Sequence, residues 1–529
     1  MKSPRKLLSV VAGAVTVGLL ISSVALARGG DSNWLSAGQN LQNTRYQDKE
    51  NKIKPKNVAN LAVKWQFTTG GDVSATPAVD DDNVYFPDWA GNLYAVNRET
   101  GKKVWSHQIS DYTGLAGDFA RTTPAVFGNT LIFGDQGGHV SGGAWMLAVN
   151  KRTGNLLWKT QVESVGTFPV ITQSAVVDGS TVYVGISSVE ELFEALIPGY
   201  VCCTFRGSML ALNANTGQIL WKTYTVPGGG VPGDSYTGGS VWGSTPAIDH
   251  ARNAVYIGTG NNYSMPISVQ NCVAAATDPD ATQACISPNN HFDSVMALDL
   301  TTGAVKWASV AIPSDSFNAS CIFPGNPNNN CPQPGGPDYD FGQGPMLFTV
   351  HPKGSGKPVD LLGAGQKSGQ FWAFNPDTGA VVWVTQVGPG GTLGGLEWGS
   401  ATDGNRIYVA ISNNGGKPFL GGTSGGWSAL DPATGQILWQ TADPTGGIDP
   451  GAVSVANGVV YAGSLQSDPT KPTFFALDAA TGQIKWSFVS GGSVNSGAAI
   501  SDGTIYWGSG YSNFGLGSPN NKFYAFGLP

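Results

Sequence analysis

Short stretches of small residues recur along the chain, and each leads into an apolar strand-like segment. A polar, charged or aromatic side chain stands at the start of each stretch. These residues are Ser74, Arg121, Thr172, Trp242, Asp340, Trp398, Asp449 and Asn495. Aromatic, charged and hydrogen-bonding groups in one set are typical of a ligand site rather than of a packing layer. Any single member could instead plug a channel or cap a turn, but together they predict a ligand-binding site if the fold brings them to one place.

A thirteen-residue phrase, repeated seven times, supplies the elements that must position these side chains. In the copy Met209–Trp221, an apolar run leads to Asn213, Thr-Gly follows, and a second apolar run ends at Trp221. Period-two alternation predicts strands, and the Thr-Gly break predicts a hairpin whose glycine has positive φ. The Trp would pack on a neighbouring sheet and donate its N–H there. The other copies end at Trp105, Trp158, Trp307, Trp383, Trp439 and Trp486.

Two fragments near the ends of the chain complete an eighth copy. Asn60–Trp65 matches the second half of the phrase, and Lys522–Gly527 matches the first half. A closed ring explains this split because the first strand completes the last sheet and leaves no open edge. We therefore predict an all-β fold, an eight-bladed β-propeller of four-stranded antiparallel blades over residues 57–529. The ring is closed by its N- and C-terminal segments, and the polar set converges on the central axis.

The composition limits the classes of function. Of 529 residues 12% are charged, 74 are Gly, and the formal net charge is −7. Few charges with much Gly favour short strands and turns over disorder. A mildly acidic chain without basic blocks is a poor candidate for binding nucleic acid or an anionic membrane surface.

The N-terminus predicts export. Lys2, Arg5 and Lys6 precede an apolar stretch, and Ala25-Leu-Ala27 is typical of a signal-peptidase site. We predict a signal peptide over residues 1–27, an N-terminal arm over 28–56, and a periplasmic or secreted protein without stable membrane insertion of the mature chain. The alternative is an N-terminal membrane anchor.

Six cysteines fit an oxidising compartment. Proximity in sequence predicts three local disulfides, although 15 connectivities are possible. The predicted pairs are Cys202–Cys203, Cys272–Cys285 and Cys321–Cys331. No Cys-x-x-Cys occurs, so neither a zinc ribbon nor covalently attached haem is supported. The five His residues, at 107, 139, 250, 291 and 351, are scattered and are interpreted as ordinary loop or strand residues.

Four segments and one arginine carry a resemblance to a known family. Ser240–Gly243, Tyr256–Asn261, Asp338–Gly342, Gln366–Gly369 and Arg121, set in the Trp-terminated repeat, are similar to the quinoprotein alcohol dehydrogenases, whose cofactor is pyrroloquinoline quinone (PQQ). The likeness covers nearly all of the mature chain. A more specific resemblance, to polyvinyl alcohol dehydrogenase-type members without a cytochrome c domain, is carried by residues 202–207 and 336–342.

The resemblance implies roles for individual residues. Trp242 would lie under PQQ, Lys367 would contact its quinone carbonyls, and Asp340 would be the catalytic base, ahead of Asp338, which we expect to point to the other face. The remaining cofactor-binding residues would be Ser74, Arg121, Thr172, Ser240, Trp398 and Asn495. Calcium would be held by Glu191, Asn261 and Asp340, which offer hard oxygen ligands.

The implied activity is oxidation of an alcohol, secondary or polymeric, with electrons leaving to a separate acceptor such as a cytochrome c. Three points stay open. Glu190 or Glu191 could simply start a helix, as in a capping box with Ser188. The family's vicinal cysteine pair would precede Arg121, whereas Cys202–Cys203 comes a blade later. The alternative function is a non-catalytic scaffold similar to the assembly propeller BamB.

Overall fold

Eight four-stranded antiparallel sheets form the structure, a computed structural model that describes Met1 and residues 32–323, 325–352 and 356–529. The predicted eight-bladed all-β propeller is confirmed. The second strand of each blade is buried throughout or nearly so, and the fourth is mostly half-buried or exposed. Apart from Met1, the predicted signal peptide lies outside the described residues, and the boundary at residue 56 stays a prediction.

The blades are numbered in chain order, and each runs from its inner to its outer strand. Blades 1 to 4 comprise Ala78–Val79, Asn83–Pro87, Asn92–Asn97 and Lys103–Gln108; Ala125–Phe127, Thr130–Gly134, Ala144–Asn150 and Leu156–Glu163; Val176–Asp178, Thr181–Ser188, Ser208–Asn213 and Ile219–Tyr224; and Ala247–Asp249, Ala254–Gly258, Ser294–Asp299 and Val305–Val310. Blades 5 to 8 comprise Met346–Val350, Val359–Gly365, Gln370–Phe374 and Val381–Gln386; Ala401–Thr402, Ile407–Ile411, Gly426–Leu430 and Ile437–Ala442; Ser454–Ala456, Val459–Gly463, Phe474–Asp478 and Ile484–Phe488; and Ala499–Ser501, Thr504–Gly508, Lys522–Gly527 and Ala62–Thr68.

The ring closes as the split repeat predicted. Ala62–Thr68 is the outer strand of blade 8 and pairs antiparallel with Lys522–Gly527, with Trp65 opposite Ala525. The N-terminal segment before it lies on the blades: Tyr46–Gln47 pairs parallel with Ser454–Ala456 of blade 7. The two ends of the chain are therefore tied into the same ring.

The Trp that ends each phrase joins its blade to the next. Seven of the eight indole N–H groups donate to a backbone carbonyl of the following blade or its flanking segment at 2.9–3.1 Å. Among the described residues, Trp383 is the exception. The turn glycine of the next phrase lies under the indole: a Cβ on Gly101, which has φ +67°, would come within 2.7 Å of the Trp65 ring. Glycine is therefore required both for the turn and for this contact.

Short helices and loops occupy the insertions between strands. The α-helices are Ile109–Thr113 (α1), Glu190–Leu196 (α2), Ile267–Ala275 (α3) and Pro279–Cys285 (α4), and the 3-10 helices are Val58–Asn60, Gly137–Val140, Ala319–Cys321 and Asn513–Gly515. Further strand pairs join Pro169–Val170 to Thr181–Ser188, and Thr237–Gly238 to Asn262–Ser264. All three predicted disulfides are present. None of the helices in the described part of the chain is long and apolar enough to cross a bilayer.

Candidate functional site

A cavity of about 200 Å³ lies at the propeller axis. Its walls come from the turns that lead into the inner strands of blades 2 to 8, and from loops above them. Of the predicted site residues, those that line it are Arg121, Thr172, Glu191, Ser240, Trp242, Asn261, Asp340, Lys367, Trp398 and Asn495. The repeat register therefore brings together side chains that are far apart in sequence.

Two members of the predicted converging set lie elsewhere. Ser74 lines a smaller neighbouring cavity of about 50 Å³, where its hydroxyl accepts the indole N–H of Trp89 at 2.8 Å. Arg45 from the N-terminal segment fills part of that space and donates to the carbonyls of Val453 and Ala37. Asp449 is fully buried and lines neither cavity. The register locates the backbone of these residues correctly, but it does not determine the direction of the side chain.

Asp340 is the most highly coordinated carboxylate of the cavity. One oxygen accepts the backbone N–H of Asn261 at 2.7 Å; the other accepts the indole N–H of Trp242 at 2.8 Å and lies 3.0 Å from Nζ of Lys367. Its backbone carbonyl accepts the N–H of Lys367. Side chain and main chain are thus both held, and the residue is only 3% exposed.

Asp338 contacts the same lysine as Asp340. Its carboxylate lies 2.9 Å from Nζ of Lys367. The prediction that Asp338 points to the other face is wrong, because residues two apart share a face on a strand. Moreover, residues 337–343 are not a strand, and Asp338 has φ +61°.

Lys367 stays cationic in this environment. Burial lowers its pKa, but the carboxylates of Asp338, Asp340 and Glu191 outweigh burial and raise the pKa well above its ordinary value. The ammonium group lies 5.2 Å from the centre of the Trp242 ring. A fixed positive charge therefore stands beside the aromatic face of the cavity.

The two glutamates that begin α2 have different surroundings. Glu190 is buried, and its carboxylate accepts the N–H groups of Thr204 and Phe205 and the hydroxyls of Thr204 and Tyr200. Glu191 faces the cavity, where burial and the charge of Asp340 raise its pKa. The hydroxyl of Ser188 accepts the N–H of Glu190. Glu190 therefore fastens the loop, and only Glu191 is placed to hold a metal.

Arg121 is fixed by aromatic contacts. Its guanidinium lies 5.0 Å from the ring centre of Trp89 and 4.8 Å from that of Trp398. Trp398 in turn packs edge-on against Trp242, with ring centres 5.2 Å apart. An immobilised guanidinium beside two indoles suits an anionic, planar ligand.

Several other residues of the cavity wall were missed. Glu397, His139, Tyr511 and Phe514 all line it. His139, interpreted from the sequence as an ordinary loop or strand residue, lies in a 3-10 helix and lines the cavity. Glu397 directly precedes Trp398, so the repeat register could have found it. The others lie on loops outside the repeat, where no sequence signal marks them.

Cys202–Cys203 does not reach the cavity wall. Both residues are buried, and Sγ of Cys202 lies 4.0 Å from the carbonyl oxygen of Tyr263, a residue that does line the cavity. Asp72, two residues before Ser74, accepts the N–H and hydroxyl of Ser512 and the N–H of Asn520. Neither group lines the axial cavity.

Comparison with known proteins agrees with this fold. The family model described as outer membrane protein assembly factor BamB matches residues 65–309 and 367–517. A polyvinylalcohol dehydrogenase of Sphingopyxis sp. (strain 113P3) is 31% identical, covering 92% of this chain and 73% of that protein. One from Pseudomonas sp is 30% identical, covering 90% of this chain and 73% of that protein.

A solved structure supports the fold. The quinohemoprotein alcohol dehydrogenase ADHIIG from Pseudomonas putida HK5 superposes with a TM-score of 0.71 at 19% identity, covering 94% of this chain and 80% of that chain. The repeat, the closed ring and the two relatives agree. The chain belongs to the PQQ-dependent dehydrogenase family of eight-bladed propellers.

Proposed function

We propose that this protein is a PQQ- and calcium-dependent alcohol dehydrogenase. The observation that carries the proposal is the contact of Asp340 with both Trp242 and Lys367 in one axial cavity. A carboxylate, a cation and an aromatic face meet there, and Arg121 adds a second cation on the same wall. The names of the two polyvinylalcohol dehydrogenase relatives support the same reaction class.

The side chains present fit this cofactor. Trp242 and Trp398 offer aromatic faces, and Arg121 and Lys367 offer positive charge for carboxylates and quinone oxygens. Ser240, Thr172 and Asn495 add hydrogen-bonding groups to the same wall. When bound, PQQ would supply a two-electron oxidant that accepts hydride from the carbinol carbon.

The cation is supported by the charges around Glu191. Glu191, Asn261 and Asp340 bring oxygen donors to one wall. Burial, and then repulsion from the negative charge of Asp340, raise the pKa of Glu191 to about 8. A divalent ion between them would offset that repulsion, and carboxylate and amide oxygens are ligands that calcium prefers.

The residues have complementary tasks in the oxidation. Asp340 takes the hydroxyl proton of the alcohol while the carbinol carbon loses hydride, so a carbonyl product results. The ammonium group of Lys367 stabilises negative charge that develops on the oxidant. Trp242 orients Asp340 through its indole N–H. Because Asp338 also pairs with Lys367, the lysine stays charged when Asp340 is protonated.

The substrate class proposed is an alcohol flanked by hydrocarbon, such as a secondary or polymeric alcohol. A second cavity of about 410 Å³ adjoins the first and shares Ser188, Val189, Glu191, Lys367, Leu393 and Phe514 with it. Its other walls include Leu192, Phe317, Ile322 and Phe323. Burying each methylene there would contribute about 0.8 kcal/mol, about fourfold in affinity.

The wall of this second cavity is held in place by local bonds. The Cys321–Cys331 disulfide closes the loop, and the buried carboxylate of Glu194 accepts the N–H and hydroxyl of Ser320 and an amide N–H of Asn330.

Phe323→Ser removes part of the apolar wall of the second cavity. It should raise KM for long secondary alcohols and leave the KM for 2-propanol unchanged. Val165→Ser, also exposed but outside both cavities, is the matched control.

The proposed activity is tested by adding PQQ and calcium to the purified apoprotein and following alcohol-dependent reduction of an artificial dye. Electrons would leave to a separate acceptor, such as a cytochrome c, since no haem-attachment motif occurs in the sequence. Primary, secondary and polymeric alcohols are compared. No dye reduction with any of them, together with no PQQ binding, would contradict the proposal.

A second candidate is a non-catalytic scaffold, which the description of the matching family model favours. A scaffold needs no buried lysine between two aspartates at the axis, and PQQ binding by the apoprotein would argue against it.

We also propose that the protein is periplasmic or secreted. The N-terminal sequence and the three disulfides support this. Fractionation with N-terminal sequencing tests it, and a cytoplasmic, uncleaved product would contradict it.

A further inference from the structure

Glu397 is a carboxyl group of the axial cavity to which the proposed reaction gives no task. It lines the cavity with Arg121 and Lys367 and is 7% exposed. Within the part of the chain that the structure describes, its Oε1 has no hydrogen-bond partner. Leaving a buried polar atom unpaired costs about 1–3 kcal/mol, so such an atom beside a cavity points to a ligand.

The backbone fixes Glu397 in this position. The N–H of Leu396 donates to the carbonyl of Gln366, and the N–H of Trp398 donates to the carbonyl of Pro450. Both neighbours of Glu397 are therefore tied to other blades. The carboxyl group is presented to the cavity by a rigid turn and not by a mobile loop.

The nearby cations are engaged with other groups. Lys367 forms ion pairs with Asp338 and Asp340, and Arg121 lies between two Trp rings. The other titratable and charged groups that line the same cavity are Arg121, His139, Glu191, Tyr263, Asp340, Lys367 and Tyr511. Burial raises the pKa of Glu397 to about 7, although Lys367 and Arg121 oppose the increase.

We infer that Glu397 donates a hydrogen bond, as a neutral carboxylic acid, to an anionic oxygen of the bound cofactor. The inference rests on the proposed function, because PQQ carries three carboxylates and a quinone. An ionised Glu397 would repel these oxygens inside a poorly solvated cavity. The neutral acid instead donates a hydrogen bond to one of them, so that both the Glu397 carboxyl group and the cofactor oxygen gain a partner. Glu397 is thus a residue that makes cofactor affinity depend on pH.

The test measures PQQ binding to the full-length apoprotein with saturating calcium, by quenching of Trp fluorescence between pH 5.5 and 9. For the native protein we expect Kd to rise about tenfold per pH unit above about pH 7, because Glu397 is then ionised in the free protein and binding requires the uptake of one proton. Glu397→Gln keeps a neutral donor, so its Kd should change less than about twofold from pH 6 to pH 9.

Two controls keep the result interpretable. Glu397→Ala removes the donor and should bind more weakly than Glu397→Gln at pH 6. Glu163→Gln, whose partner Lys222 lies on an outer strand far from the cavity lining, should keep the native pH profile. Equal pH profiles for native protein and Glu397→Gln would overturn the inference while leaving the proposed function intact. Absence of PQQ binding at every pH in all variants would overturn both.

Discussion

The indole Nε1 of Trp242 lies 2.8 Å from a carboxylate oxygen of Asp340. The residue predicted to lie under the cofactor therefore also orients the predicted base. The same carboxylate oxygen lies 3.0 Å from Nζ of Lys367, so the indole and the ammonium group hold one acceptor between them. Removing the indole N–H would release Asp340 toward the lysine.

Trp242→Phe should therefore separate cofactor binding from turnover. The phenyl ring keeps an aromatic face, so the Kd for PQQ should change by less than about fivefold, because one lost contact is worth about 1 kcal/mol. Asp340 loses a donor and shifts, so kcat should fall about tenfold, equivalent to about 1.4 kcal/mol. Steady-state dye reduction and fluorescence titration check both values. Unchanged kcat would show that the hydrogen bond does not position the base.

Asp340→Asn and Asp338→Asn distinguish the two aspartates. Asn cannot accept the alcohol proton, so Asp340→Asn should lower kcat about 10²–10⁴-fold while PQQ still binds. Asp338→Asn leaves Lys367 paired with Asp340 and should lower kcat less than about tenfold. Both variants are measured with the same alcohol and dye. If the two effects are reversed, Asp338 is the base.

Glu190→Gln and Glu191→Gln test the assignment of the metal ligand. Glu191→Gln should raise the calcium Kd at least about tenfold, because one anionic ligand is lost. Glu190→Gln should leave the calcium Kd unchanged but lower the free energy of unfolding by about 1–3 kcal/mol, since its buried carboxylate accepts the N–H groups of Thr204 and Phe205. Calcium titration calorimetry and urea unfolding report the two effects. Weakened calcium binding in Glu190→Gln would refute the assignment.

Local repetition made the fold predictable. Each hairpin is encoded within thirteen residues, and the split copy at Trp65 encodes ring closure directly. The site was predictable where a residue stands in the repeat register, as Trp242 and Arg121 do. Ser74 and Asp449 stand in that register too, but their side chains point away from the main cavity. A register specifies backbone position only.

Other parts of the site depend on contacts that the repeat does not encode. The positive φ of Asp338 turns its side chain onto Lys367, and a single sequence does not announce such a conformation. His139 reaches the cavity from a 3-10 helix in an insertion of blade 2. The loops carry such residues, and their course depends on packing between blades.

Gly101→Ala tests the contact between the turn glycine of one repeat and the Trp that ends the preceding repeat. Gly101 and Gly128 both have positive φ, +67° and +55°, so both substitutions incur backbone strain. Only at Gly101 would the new Cβ meet an indole, that of Trp65, at 2.7 Å; at Gly128 it meets nothing within 4 Å. Gly101→Ala should therefore lower the free energy of unfolding by about 1–3 kcal/mol more than Gly128→Ala. Urea unfolding midpoints measure the difference, and equal losses would show that the indole adds no constraint.

His139 should make the folded state sensitive to acid. Burial, and then the charge of Arg121, lower the pKa of His139 to about 4. A histidine in the unfolded chain titrates near about 6.5, so below that pH the unfolded state binds a proton that the folded state does not. The stability contribution of neutral His139 is therefore fully present above about pH 6.5 and is lost as the pH falls toward about 4.

His139→Gln should remove this part of the pH dependence. Relative to its value at pH 7.5, the free energy of unfolding at pH 4.5 should fall by about 1–2 kcal/mol less in His139→Gln than in the native protein. His351→Gln, on an exposed loop, serves as the control and should keep the native profile. Urea unfolding at the two pH values measures the effect. An acid-induced loss in His139→Gln equal to the native one would show that the half-buried imidazole of His139 does not contribute to the pH dependence of unfolding.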